Sequence, residues 1–342
     1  MKKLKNKKIL ITGITGMVGS HLADFLFKNT ASKIHGLIRW RSKLENLKNL
    51  IPEINSSNRI HLHYGDLNDE ISIDKIIYKI KPDYIYHLAA QSYPQTSFTE
   101  PVYTLSTNIL GTLRVLEAVK KYVPNANIHV CSSSEVFGRV KKEKLPINEE
   151  CSFHPASPYA ISKVGTDLIA KFYHEAYGLK VQITRMFTHT GPRRGDVFAE
   201  STFAKQIAMI EQGFIKPRIM VGNLNSLRTI ADVRDAVEAY FLLLTKNPIP
   251  GAIYNIGGKN TFTVEEVLKY LISKSPFKKK IKIVIDKRRL RPIDADLQVP
   301  DTRKFIKHTG WKPKISFEKT MDDLLDYWRK RVKEDGNIYL QR

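Results

Sequence analysis

The first forty residues constrain this chain more than any later stretch. Lys8-Ile9-Leu10-Ile11 carries a short apolar run, the pattern of a buried parallel strand. Gly13-Ile14-Thr15-Gly16-Met17-Val18-Gly19 follows at once, and Leu22, Phe25 and Leu26 then recur at helical spacing. Strand, glycine turn and helix in that order make a cradle for a dinucleotide. Glycines let the main chain approach a pyrophosphate, and the first N–H groups of the helix donate to it. The spacing G-x-x-G-x-x-G is a weak pattern alone; lying between a strand and a helix gives it meaning. A second strand, Ile34 to Ile38, ends at Arg39-Trp40-Arg41-Ser42. A free ribose hydroxyl would call for an acidic residue here. Two arginines and a serine suit a 2′-phosphate, so NADP is expected rather than NAD, held by Arg39, Arg41 and Ser42.

The alternation continues. Ile60 to Tyr64 leads into Gly65-Asp66-Leu67, where Asp66 can accept from an adenine amino group or cap the next helix. Tyr84 to Leu88 is followed by Ala89-Ala90-Gln91-Ser92, small enough for main chain to run beside a cofactor. Leu105 to Val119 reads as a helix with Leu110, Leu113, Val115 and Leu116 in the core, and Ile128 to Cys131 as the next strand. Further helices are expected at Phe203 to Ile210, Val233 to Leu244 and Val264 to Ser273, and strands at Val181 to Met186, Ile253 to Ile256 and Ile281 to Ile285. Gly222 to Thr229 reads as a connector, and Leu324, Leu325 and Trp328 lie on a last amphipathic helix. This is an α/β chain: a doubly wound parallel (Rossmann) sheet, with ligands at the carboxyl ends of its strands, and a smaller α/β C-terminal substrate lobe. With no linker or repeat in 342 residues, the expected division is 1–187, 227–258 and 288–310 for the NADP-binding domain. The substrate lobe then takes 188–226, 259–287 and 311–342.

The chemistry centres on Cys131-Ser132-Ser133-Ser134-Glu135 with Tyr159 and Lys163. Tyr-x-x-x-Lys sets a phenol and an ammonium one helical turn apart on one face. A nearby cation favours the phenolate and should lower its pKa. Such a tyrosine can take a hydroxyl proton while a hydride leaves the same carbon. Ser133 supplies an aligning hydroxyl. Glu135 is a second base, which plain alcohol oxidation does not need.

The formal charge is +22, with short tracts at Lys2-Lys3, Lys141-Lys142 and Lys278-Lys279-Lys280. Such a balance fits nucleic acid, a membrane surface or a phosphorylated substrate. No nucleic-acid motif and no aromatic-basic repeat accompanies it, so neither nucleic acid nor membrane is expected as a partner. Two cysteines, Cys131 and Cys151, make no metal cluster and fit a reducing, cytoplasmic setting. No metal is expected, and no apolar run approaches the length of a membrane span.

These stretches together resemble the extended short-chain dehydrogenase/reductase family, and within it the GDP-mannose 4,6-dehydratases. The resemblance runs from about Lys8 to Trp328. It is carried by the glycine turn, Ile38 to Ser42, Gly65-Asp66-Leu67, Leu88 to Ser92 with Gln95 to Phe98, Ser133-Ser134-Glu135 and Ser157-Pro158-Tyr159. It is carried further by Gly191-Pro192-Arg193-Arg194-Gly195, Gly222-Asn223-Leu224, and Arg291-Pro292 before Asp296. It implies a nucleotide-sugar substrate, with Ser133, Ser134, Glu135, Tyr159 and Lys163 catalytic. It also implies Tyr103, His189 and Arg194 at the cofactor, beside Gly13 to Gly19, Asp66, Leu67 and Leu88 to Ser92. Ser92, Thr188, Arg193, Lys205, Arg228 and Arg291 would join Glu135 and Tyr159 at the substrate, and the chain would form a homotetramer or dimer, using Arg41 to Leu50. There are departures. Ser133 replaces a threonine, Thr188 an asparagine, and Thr229-Ile230-Ala231-Asp232 an Asp-Trp-Gly-His run. Ser133 keeps the hydroxyl, and the changes touch the sugar and nucleotide pockets more than the catalytic core, so GDP-mannose, a GDP-heptose, a GDP-amino sugar and another nucleotide all stay open. A 4-epimerase or 4-ketosugar reductase of the same family is the alternative, and a basic, non-catalytic binding protein a third.

Overall fold

The computed structural model describes residues 4–56 and 58–336; Lys2-Lys3 and the end of the expected substrate lobe, 337–342, lie outside the described residues. Seven parallel strands form the central sheet: β1 (Lys8–Thr12), β2 (Lys33–Ile38), β3 (Ile60–Tyr64), β4 (Tyr84–His87), β5 (Asn127–Cys131), β6 (Lys180–Met186) and β7 (Ile253–Ile256). Their spatial order is β7-β6-β5-β4-β1-β2-β3. The winding therefore reverses between β1 and β4, and a ligand crevice opens at the carboxyl ends there. The inner strands are mostly buried because both faces are covered, while β3 at the sheet edge carries His61 and His63 and exposes Tyr64. Ile9 and Ile11 face the helices Met17–Asn29 and Val233–Thr245, while Leu10, Ile85 and Ile128 face Glu70–Ile80, Gly111–Tyr122 and Pro158–Tyr177.

The glycine turn is fixed by close approach. Gly13 has φ +75°, and a Cβ on it would lie 2.9 Å from the Ala89 main chain. A Cβ on Gly19 would lie 2.2 Å from the Gly13 carbonyl oxygen. Helix Met17–Asn29 can thus pack onto β1 only with glycine at these positions. Gly16 caps that helix without any side-chain hydrogen bond, which leaves the N–H groups of the first turn to a ligand.

Two expectations need correction. The helix expected from Leu105 runs as Pro101–Leu105, a π turn at Ser106–Leu110, and Gly111–Tyr122. A π turn inserts a residue and rotates what flanks it; Leu110, expected in the core, is 44% exposed, while Val115 and Leu116 are buried. The connector Gly222 to Thr229 contains a strand, Leu227–Thr229, paired with Thr261–Thr263 and Leu297–Gln298. Both partners are distant in sequence, so no local pattern marks the strand.

A separate apolar core forms where Ala199–Glu211, Val264–Ser273 and Phe317–Asp335 meet, around Phe203, Ile207, Leu268, Leu271, Leu324, Leu325 and Trp328. The Trp328 indole donates to Ser201 Oγ at 2.7 Å. Truncating Leu324 or Leu268, both fully buried, to alanine would cost about 2–5 kcal/mol. These helices and the seven-stranded sheet face each other across one large cavity. No helix among the described residues is long and apolar enough to cross a membrane.

Candidate active site

The cavity holds about 840 Å³. Its sheet-side wall contains Gly13, Thr15, Gly16, Met17, Val18, Gly19, Arg39, Ser42, Asp66, Leu67, Leu88, Ala89, Ala90, Gln91, Ser92 and Tyr103. The Arg39 main-chain N–H donates to Ser42 Oγ at 3.0 Å, and its guanidinium to the Tyr103 hydroxyl at 3.4 Å. Asp66 does not cap the following helix. Asp69 does, and Asp66 Oδ1 instead accepts from the Asn68 N–H at 2.9 Å. The uncapped helix end and a turn that excludes side chains fit the pyrophosphate of a dinucleotide. Two expected contacts fall outside the wall. The Ile14 side chain packs into the core, and Arg41 lies over the exposed Trp40 ring at 4.4 Å, so the carry-over to these side chains is corrected.

The residues expected to be catalytic sit at the end of a strand and the start of a helix. β5 ends at Cys131; Ser133 then caps a short turn, its Oγ accepting from the Glu135 N–H at 3.2 Å. Helix Pro158–Tyr177 begins with Pro158 behind Ser157, whose Oγ accepts from the Ala160 N–H at 3.0 Å. That start fixes the phase of the helix and buries Tyr159 and Lys163 on one face. The Ser133 hydroxyl lies near enough to the Tyr159 phenol to act on its ionisation. Lys163 Nζ donates to the Cys131 carbonyl at 2.7 Å.

The electrostatics correct one expectation. Burial pushes the Tyr159 phenol above its ordinary value, against the lowering effect of the Ser133 hydroxyl. Burial likewise lowers the pKa of Lys163. The shared helix face does place the two residues together, but the ammonium is directed to a main-chain carbonyl. In a dry site, desolvation of the charged forms outweighs that help.

The opposite wall is built from loops. Thr188, His189, Arg193, Arg194, Arg228 and Arg291 all line it, with Glu135 at the junction. The Arg194 guanidinium lies 3.4 Å over the Phe198 ring and pairs with Glu200 at 3.4 Å. His189 donates to the Phe187 carbonyl at 3.1 Å and is pushed down to about 4 by burial and by Arg194, so it is a neutral donor at neutral pH. Arg228 Nη1 donates to the carbonyls of Ala295 at 2.7 Å and Leu227 at 2.9 Å, and the arginine feels the charge of Glu135. Main-chain acceptors aim this guanidinium without neutralising it. Arg193 does line the cavity, but its guanidinium is ion-paired with Asp24 of the glycine-turn helix at 2.6 Å. Lys205 is a correction: it is buried, pairs with Asp196 at 3.2 Å and does not reach the cavity.

Sequence inspection missed Arg288, Arg289, Asn223, Glu200, Phe198 and Tyr93, which also line the cavity. The run Lys287-Arg288-Arg289 ahead of Arg291 and the motif Gly222-Asn223-Leu224 were usable signals; Glu200, Phe198 and Tyr93 carry none. This excess of guanidinium groups suits a polyanionic ligand. Among the described residues no group of three or more His, Cys, Asp or Glu could hold a metal ion. Cys131 and Cys151 are free thiols.

Comparison with known proteins agrees with this geometry. A chain named GDP-mannose 4,6 dehydratase 1 from Arabidopsis thaliana is 35% identical, over 94% of this chain and 90% of that one. GDP-6-deoxy-D-mannose reductase from Pseudomonas aeruginosa is 30% identical, over 96% and 99%. The structure of RMD from Pseudomonas aeruginosa complexed with NADPH superposes with a TM-score of 0.78 at 29% identity, covering 96% of this chain and 100% of that one. The family model described as GDP-mannose 4,6 dehydratase matches residues 10–324, nearly the whole chain. The protein belongs to the GDP-mannose 4,6-dehydratase family.

Proposed function

We propose that the protein is a nucleotide-sugar 4,6-dehydratase that converts GDP-mannose, or a related GDP-heptose or GDP-amino sugar, to the 4-keto-6-deoxy sugar nucleotide. One observation carries this reading: Glu135 lines the same cavity as Tyr159 and lies within electrostatic reach of both Tyr159 and Arg228. A 4-epimerase or a ketosugar reductase removes no C5 proton and has no use for a carboxylate there.

NADP, bound along the sheet-side wall, would accept the C4 hydride and return it at C6. Everything else falls to the chain. Tyr159 takes the C4 hydroxyl proton, aligned by Ser133, and Lys163 is the cation nearest along the same helix face. Burial holds the phenol's pKa up, so positive charge beside it, from Lys163 and from a nicotinamide ring when one is bound, would favour the phenolate. The new ketone acidifies C5, and Glu135 removes that proton. The C6 hydroxyl leaves as water, taking its proton from Glu135 with Ser134 beside it; with hydride returned at C6, a solvent proton passed through Glu135 would be restored to C5, while Tyr159 gives up its proton to solvent. Arg228 and Arg291, with Arg288 and Arg289 at the rim, hold the diphosphate. Arg39 and Ser42 support NADP over NAD, in line with the relative solved with NADPH.

The test is incubation with GDP-mannose and a trace of NADP⁺, followed by NMR and mass spectrometry. Loss of one water, a C6 methyl group and no accumulation of NADPH are expected. In deuterium oxide the label should enter at C5, and Glu135→Gln should abolish it. The relative named GDP-6-deoxy-D-mannose reductase gives a second reading. In that case the 4-keto sugar would be consumed with stoichiometric NADPH oxidation, and GDP-mannose would be inert. A changed hydroxyl configuration without water loss would indicate a 4-epimerase.

A homo-oligomer fits the surface. Val102, Leu110, Ile161, Leu168, Phe172 and Tyr177 are exposed on Pro101–Leu110 and Pro158–Tyr177. The segment Arg41 to Leu50, read from sequence as a subunit contact, inserts Leu47 and Leu50 into its own core. Light scattering showing a monomer would overturn the oligomer proposal.

A further inference from the structure

We infer that Arg193 is a positioning residue: with Asp24 and His21 it clasps the loop 191–195 to the glycine-turn helix, and so sets Arg194 against the reacting end of the cavity. Arg193 adopts φ +69°, left-handed backbone that a long side chain avoids. Such a conformation persists where the surroundings over-determine it. Here they do. The Arg193 guanidinium donates to Asp24 Oδ2 at 2.6 Å, with side chains only 14% and 30% exposed. The preceding carbonyl, of Pro192, accepts from His21 Nε2 at 3.1 Å. His21 and Asp24 lie three residues apart, on one face of Met17–Asn29. Two consecutive loop residues are therefore tied to two neighbouring residues of one helix, across some 170 residues of sequence.

His21 is pushed down to about 4, first by burial and then by Arg193. It is thus neutral at neutral pH, with its proton on Nε2 to serve Pro192. The loop closes on itself through the Arg194 N–H, which donates to the Gly191 carbonyl at 3.2 Å. The next side chain is Arg194, packed over Phe198 and close enough to act on the charge of Tyr159 and His189. A shift of this loop would move that charge relative to the phenol. Neither His21 nor Asp24 lines the cavity. They cannot touch a ligand held there, so they report on position alone.

The test uses the full-length protein and compares Asp24→Asn, Arg193→Asn and the double variant. Asparagine tolerates left-handed backbone, so strain is not the variable. Hydrogen exchange of amides 189–198 in the ligand-free protein should quicken about tenfold in each single variant. The double variant should exchange no faster than Arg193→Asn, because the two side chains act as one unit. In turnover, kcat should fall roughly tenfold in Asp24→Asn while the sugar-nucleotide KM stays within about twofold, with partial rescue by Asp24→Glu. Unchanged exchange in Asp24→Asn would overturn the clasp. So would a raised KM in Arg193→Asn with normal behaviour in Asp24→Asn, which would return Arg193 to the substrate diphosphate. The turnover arm rests on the dehydratase reading. If the native protein converts no sugar nucleotide, that reading fails, and the exchange comparison still decides the clasp.

Discussion

The cavity has two walls of different construction. The sheet-side wall is made of strand ends, a glycine turn and two helix starts, and its polar groups are bonded to main-chain groups of those elements: Ser133 to Glu135, Ser157 to Ala160, and Lys163 to Cys131 at the end of β5. The opposite wall is made of loops and short strands, and two of its arginines are held by partners far away in sequence: Arg193 by Asp24, Arg228 by the carbonyl of Ala295. Regular structure fixes atoms to within tenths of an ångström, as bond making requires. Loops tolerate replacement and carry the choice of ligand. Two of the departures from the family pattern, at Thr188 and at Thr229 to Asp232, fall on or beside this opposite wall, while Ser133, which keeps the hydroxyl, lies on the sheet side. The proposed function therefore assigns the reaction to one wall of the cavity and the choice of substrate to the other.

The comparison breaks first at Tyr159. Tyr159→Phe should lower kcat about 1,000-fold with the sugar-nucleotide KM nearly unchanged, as loss of a positioned acid–base group predicts. A KM effect of equal size would mean that the regular wall also does the binding. The second test is acid. His87 and His129 lie buried behind the regular wall, both pushed down to about 3 by burial. Their folded values lie below the unfolded value near 6.5, so their contribution to stability is whole above that pH. It is lost as pH falls from about 6.5 toward about 3, where the unfolded chain binds protons that the fold excludes. Between pH 7 and pH 5 each should cost about 2 kcal/mol, readable as a falling thermal midpoint. A flat midpoint over that range would show that the wall opens to admit the proton.

Arg228→Met tests the loop wall. The KM for the sugar nucleotide should rise about 30-fold, the worth of a charge-assisted contact, with kcat changed only a few-fold. A collapse of kcat instead would make Arg228 part of the chemistry through Glu135. The smallest effect separates two arginines that the sequence treats alike. Arg39→Ala should cut the preference for NADP over NAD about tenfold, and Arg41→Ala should leave it within about twofold. Equal losses would show that Arg41 leaves Trp40 when the dinucleotide binds.

How legible each wall was follows from the range of its interactions. The seven-stranded sheet could be read because apolar runs and glycine turns are local patterns, and Tyr159 with Lys163 could be placed because four residues along a helix return to the same face. The phenol's ionisation could not. Spacing shows a neighbouring charge but not the burial that opposes it. Lys205 looked like a free cation until Asp196 was found beside it, and Arg41 until it was found on Trp40. Leu110 looked like core because 3.6-residue counting has no place for a π turn.

The sequence by itself determined the order of strands and helices, the glycine cradle at Gly13 to Gly19 and the proposed catalytic set Ser133, Glu135, Tyr159 and Lys163. Each is signalled by spacing within a few residues, although Gly13 meets Ala89 and Lys163 meets the Cys131 carbonyl across longer stretches of chain. The tertiary structure alone decided which cations face the cavity, how Arg193 is locked to Asp24, and that Arg288, Arg289 and Glu200 complete the wall. Ion pairs and burial depend on distances between segments far apart in the chain, and those distances exist only once the two cores have closed on each other.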